Sequence, residues 1–248
     1  MKNLFWMLIL AGLAGAGWYY MTKDTPQPAS QPTISGTPPI HNEPVPPVST
    51  AKQPVGGSGK AFRGCPAEGE GGDSDLNRVK NRDLHGAYQT VTFDWLANLS
   101  WPKELERRDR RNWRVRDAQY VAQYEAKSVT VEGFLASAKL TGMETVNCNR
   151  DDPEMTDFHI WLTPKRARER KNAIVIEVTP RIRAQHRDWT LERLDALANI
   201  QYPVRISGWL MMDPEHPEQL GKTRTTLWEI HPVMKIEYQS GGVWRTLE

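Results

Sequence analysis

Cysteine is scarce in this chain. Its 248 residues hold two, Cys65 and Cys148, and no redox C-x-x-C pair can be formed from them. A charge of one sign is missing too. The formal net charge is +2, so the chain as a whole lacks a basic nucleic-acid signature. There is no Ser-His-Asp signature, no phosphate-binding glycine loop and no H-E-x-x-H zinc motif. Carboxylates are plentiful, but no pair stands out as a general acid and base. These absences leave architecture and address as the more legible properties.

The residues that are present divide the chain into four parts. Residues 4–21 carry no charge, and Lys2, Lys23 and Asp24 flank them. Eighteen apolar residues approach the roughly 20 a spanning helix needs. Trp18, Tyr19 and Tyr20 fall where an aromatic belt meets headgroups. The expectation for 1–21 is an uncleaved signal-anchor contacting the membrane through this helix. The competing reading is a signal peptide cut near Ala14-Gly15-Ala16. Either would carry the remainder out of the cytoplasm. An anchor implies an inner-membrane, single-pass protein with its globular part in the periplasm, and cleavage implies a secreted one. No Cys follows the apolar run, which argues against a lipoprotein.

Residues 22–64 contain nine prolines and end in Gly56-Gly57-Ser58-Gly59. Almost without large apolar residues, this stretch cannot offset its own ordering entropy and is expected to be a disordered linker. Residues 65–127 form an N-terminal extension expected to pack on the following domain. Within it, 103–117 hold seven Lys/Arg against four Asp/Glu, bracketed by Trp101 and Trp113. Pro102 suits the first turn of a helix running to Arg111, laced with Glu104–Arg108 and Glu106–Arg110 pairs. A second short helix is expected around Ala118–Tyr124.

Residues 128–248 show strand-like runs at 128–138, 157–163 and 173–179, an amphipathic helix at about 189–198, then runs at 204–212 and 227–238. That β-β-β-α-β-β order is expected to close into an OB-fold, the five-stranded Greek-key barrel that binds oligonucleotides and oligosaccharides. Alternation assigns the faces. Val129, Val131, Gly133 and Leu135 share one phase, and Gly133 can let the strand bend. Phe158, Ile160 and Leu162 face in, as do Ile174, Ile176 and Val178, and Val204, Ile206, Leu210 and Met212. Trp161, Glu177, Arg205, Trp209 and Met211 face out, with Glu229 and His231 opposite the inward Ile230. Pro232 interrupts the last strand. Leu191, Leu194, Leu197 and Ala198 give the helix a one-sided stripe, capped by Thr190 or Asp188.

Two candidate sites follow. Loops on either side of the binding face bring Asp157, His159, Asp213 and His216 into the same region. Imidazole and carboxylate together suit zinc or another divalent metal, and a metal-dependent hydrolase would follow. The bland reading is turn chemistry at Asp213-Pro214. The other candidate is a cationic, aromatic face made of outward Trp161 and Trp209, with Arg205, Arg181 and Arg183 and the Lys165-Arg166-Ala167-Arg168 run. Such a face suits single-stranded nucleic acid or another anionic polymer, unless the extension covers it. An even cysteine count outside the cytoplasm permits a Cys65–Cys148 disulfide. The alternative is two unpaired thiols, with Cys148 near a metal.

Gly71–Arg82, Val178–Arg183, Ser207–Asp213 with His216, and Leu227–Pro232 resemble segments of a group of bacterial exported proteins. The resemblance covers roughly 65–248 and implies an OB-like extracytoplasmic domain. It carries over no catalytic residue and no cofactor. The combined expectation is a membrane-tethered binding or adaptor module, its partner an anionic polymer or an envelope protein. A hydrolase and a structural envelope component are the alternatives.

Overall fold

Alternating apolar residues on five strands close a barrel around one core. The computed structural model describes residues 53–248. The expected membrane segment and most of the expected linker lie outside that range. Among the described residues, no helix is long and apolar enough to cross a membrane. In chain order the elements are α1 (Ser74–Lys80), β1 (Gln89–Val91), α2 (Phe93–Ala97), α3 (Val115–Glu125), β2 (Ser128–Leu140), β3 (Phe158–Thr163), β4 (Ile174–Val178), α4 (Pro180–Arg183), α5 (Leu191–Ile200), β5 (Pro203–Met212), β6 (Trp228–Ser240) and β7 (Val243–Thr246). β2 pairs β3, β3 pairs β4, β4 pairs β6 in parallel, β6 pairs β5, and β5 returns to β2. This closed order is the OB-fold, as the element sequence implies. β1 joins β2 in parallel and β7 extends β6; neither short strand has enough alternation to be seen in advance.

The inward phases hold. Val129, Val131, Leu135, Ile160, Ile176, Ile206, Leu210 and Ile230 are all fully buried in one cluster. α5 buries Leu194, Leu197 and Ala198 against it, and Thr190 Oγ1 caps the helix by accepting from Arg193 N. Pro232 does not end the last strand. β6 continues through it, and Trp209 on β5 lies opposite both His231 and Pro232, a bulge flanked by Gly208↔Val233 and Leu210↔Ile230. Only glycine fits at 208, since a Cβ there would lie 2.3 Å from Pro232 O. The shift in β2 falls between Leu135 and Ser137, not at Gly133. Gly133 serves close approach instead, a Cβ there meeting Thr163 O at 2.7 Å.

The extension departs from expectation in one place. No continuous helix runs from Ser100 to Arg111; two 3₁₀ turns, Lys103–Leu105 and Arg110–Asn112, take its place. Tertiary bonds outcompete local pairing. Arg107 adopts φ +58° and its N–H donates to Pro214 O at 2.6 Å. Arg110 forks onto Glu125 at 2.7 and 2.6 Å rather than pairing with Glu106. The second helix does form, as α3.

The outer face of β5 is covered. Met211 packs with Leu76 and Val79 of α1. Gly56, in the stretch expected to be linker, accepts from the N–H groups of Asp83 and Leu84. Cys65 and Cys148 form a disulfide, which ties the start of the extension to the β2–β3 connection.

Candidate functional site

The outward faces of β3 and β4, with the β2–β3 and β5–β6 connections and α1, enclose a recess of about 450 Å³. This is the face and the loop pair that OB-folds use for ligands. Register assembles its floor. His159 lies beside Glu177 across β3–β4, and parallel pairing of Ile176 with Ile230 brings His231 and Glu229 alongside Glu177.

The result is a dense ionic cluster. His159 Nδ1 lies 2.6 Å from Glu177 Oε1. His231, fully buried, has Nε2 3.4 Å from Asp157 Oδ2 and Nδ1 3.3 Å from Glu177 Oε2. Arg224 bridges Asp213 at 2.7 Å and Glu229 at 2.8 Å. Lys80, from the last turn of α1, reaches Glu144 at 3.4 Å and Glu215 at 3.6 Å. Burial opposes the His231 charge, but Glu177, Asp157 and Glu229 outweigh it and push its pKa up to about 10. Burial likewise opposes the Glu177 carboxylate, and His159, His231 and Lys80 overcome it, holding Glu177 well below the usual carboxylate range. Around Asp213, burial is outweighed by His216 and Arg224, with the same sign. His216 rises to about 9, chiefly through its bond to Asp213.

These shifts give stability a pH dependence. The ordinary histidine value is 6.5 and the folded value of His231 about 10. The charged His231 therefore contributes fully below about 6.5, and that contribution fades as pH rises toward 10. Glu177 contributes above its ordinary 4.5 and that contribution is lost as pH falls below it. Urea unfolding in chelator should show greatest stability between these limits. By pH 10 the unfolding free energy should have dropped by on the order of a few kcal/mol. A flat profile from pH 6 to 10 would contradict the charged His231.

The four residues expected to bind metal do not form one ligand set. Asp157 faces His231 and His159 faces Glu177. Asp213 is taken by Arg224, by His216 Nδ1 at 2.8 Å and by Glu215 N. Sequence alternation placed Glu177, Glu229 and His231 on the outer face, but Lys80 and Arg224 carried no distinguishing signal.

The expected aromatic face is also closed. Trp161 is 4% exposed; it packs with Ala136, Ala173 and Val175, and Arg170 and Lys139 lie 4.4 and 5.7 Å from its ring centroid. Trp209 is covered by the extension. Its Nε1 donates to Leu84 O at 2.9 Å, Gly56 abuts the ring and Arg82 lies over it. Arg181 donates to Lys60 O and pairs with Asp83. Arg183 donates to Thr156 O and Pro153 O. Arg205 pairs with Glu132 and lies over Trp244. Arg181 and Arg183 tie loops to the barrel, and Arg205 forms a surface pair. Lys165, Arg166 and Arg168 stay exposed on the β3–β4 hairpin, with Arg168 donating to Asn199 at 2.8 Å.

No family model and no curated protein matches this chain. Among solved structures it is similar to a putative aspartyl-tRNA synthetase from Leishmania major Friedlin, at 12% identity and a TM-score of 0.30 over 64% of this chain and 23% of that one. It is also similar to an aspartyl-tRNA synthetase from Entamoeba histolytica, at 12% identity and 0.27, over 62% and 25%. The chain spans about a quarter of the length of these structures, and so slight a likeness carries no argument about function.

Proposed function

We propose that this protein is an extracytoplasmic OB-fold binding module, tethered by its N-terminal apolar segment, that holds an anionic polymer, single-stranded nucleic acid first among them. The observation that carries this reading is the β3–β4 hairpin. Its run from Lys165 to Lys171 places five cations in seven residues, all exposed, at the edge of the face that OB-folds use. Arg170 and Lys139 continue the positive charge over Trp161 to the mouth of the recess. The recess floor is acidic, so phosphates are held by the hairpin and the rim. The apolar segment at 4–21 and the Cys65–Cys148 disulfide support the address, since disulfides persist where the medium is oxidising.

Charge reversal of the hairpin tests the reading. For Lys165→Glu, Arg166→Glu, Arg168→Glu together, affinity for a labelled single strand should fall at least about tenfold. The salt slope, at about 0.7 per phosphate contact on a single strand, should flatten by about 2. Unchanged affinity and slope would rule the hairpin out as the contact surface.

A further inference from the structure

We propose that Asp157, Glu177 and His231 form a buried binding site for one divalent transition-metal ion, beneath the floor of the recess. One ligand atom from each residue lies within 4.8 Å of the others. Each carboxylate has one oxygen fixed from outside: Asn147 Nδ2 donates to Asp157 Oδ1 at 2.8 Å, and His159 Nδ1 sits 2.6 Å from Glu177 Oε1. Of the remaining oxygens, Asp157 Oδ2 lies 3.4 Å from His231 Nε2 and Glu177 Oε2 lies 3.3 Å from His231 Nδ1.

Those separations are too long for charge-assisted hydrogen bonds, which fall at about 2.7–2.9 Å. Both ring nitrogens of His231, and Asp157 Oδ2, are buried without a hydrogen-bond partner. Unpartnered buried polar atoms are uncommon and costly. A metal resolves that cost. Donors about 2.1 Å from a tetrahedral ion lie about 3.4 Å from one another, the separation of Asp157 Oδ2 from His231 Nε2, and Glu177 supplies its ligand atom within 4.8 Å of the other two. With Nε2 on the ion, Nδ1 is left facing Glu177 Oε2 at 3.3 Å and Glu229 Oε2 at 3.6 Å, the carboxylate–histidine arrangement that orients metal-bound imidazoles. One nitrogen and two oxygens suit zinc, manganese or ferrous iron. Further carboxyl groups, Glu144, Asp213 and Glu229, surround the triad together with Lys80 and Arg224; burial favours the neutral form of Glu144 and Glu229, and a dication nearby would favour their ionisation. Glu177 and Glu229 also line the recess, so the ion would sit directly beneath its floor. The site does not depend on the hairpin binding a polymer.

The test uses the full chain, untagged, in detergent and stripped with chelator, titrated calorimetrically with Zn²⁺ and with Mn²⁺. The expected result is saturable binding of one ion per chain. Asp157→Asn, which preserves shape, should weaken binding more than tenfold while near-ultraviolet circular dichroism stays native. Because stoichiometry is read on the unaltered protein, the test stands even if a variant fails to fold. Absence of saturable binding at millimolar ion, or binding that Asp157→Asn and Glu177→Gln leave unchanged, would overturn the site.

Discussion

Replacing Arg82 with Ala is expected to remove on the order of 4–5 kcal/mol of stability, a large share of the 5–15 kcal/mol a domain has. Arg82 is fully buried although it is a cation; burial pulls its pKa down to about 9, so it remains charged at neutral pH. Its guanidinium joins four segments. Nε donates to Val79 O at 2.8 Å, Nη1 to Glu125 O at 2.6 Å, and Nη2 to Leu210 O and His231 O at 2.7 and 2.8 Å. Leu210 flanks the β5–β6 bulge and His231 lies within it, where the ladder is interrupted. The first two lie near the ends of α1 and α3, where helix carbonyls lack intrahelical partners. Truncation orphans all four acceptors in a dry interior and removes a cation 5.3 Å from the Trp209 ring. Hydrogen bonds to charged groups contribute about 1.5–3 kcal/mol each and do not add fully. Arg82→Lys keeps the charge without the planar fork and should recover only part of the loss. Urea unfolding followed by tryptophan emission measures both. A loss below about 1 kcal/mol for Arg82→Ala would mean the extension is not locked to the barrel this way.

Opening the Cys65–Cys148 bond is the second large effect. The cysteines are 83 residues apart in sequence, and closing a loop of that length removes roughly 4–5 kcal/mol of denatured-chain entropy in the loop-closure account. The loop contains the whole extension and β2, so the bond restrains the unfolded chain across both. Cys65→Ser with Cys148→Ser, or wild type under reductant, should unfold at clearly lower urea. Coincident curves with and without reductant would show that the bond contributes nothing to stability.

Much of the barrel was legible because its strands alternate strictly. Val129, Ile160, Ile176 and Ile206 fall on one face whatever the pairing, and Leu194 and Leu197 mark the one helix that packs on them. The loop pair flanking the recess followed from element order, which is why Asp157, His159, Asp213 and His216 were placed near it. Their partners were not readable. Joining Glu177 to His231 requires knowing that β4 pairs β6 in parallel, a contact across more than fifty positions that local pattern does not encode. Arg224 and Lys80 look like ordinary surface cations until packing buries them. Alternation also gave Trp161 and Trp209 their correct outward phase but could not show what lies over them: Arg170 in one case, Gly56 and Arg82 in the other. The charged stretch before Trp113 misled for the same reason, since Glu125 competes for Arg110 from outside the window.

The central claim, an anionic-polymer module working through the exposed hairpin, is tested most directly by anisotropy of a labelled single-stranded oligonucleotide against the unaltered full chain in detergent, at about 0.05 and 0.15 M salt. The account predicts saturable binding at both, weakening steeply with salt. No binding even at the lower salt would contradict it.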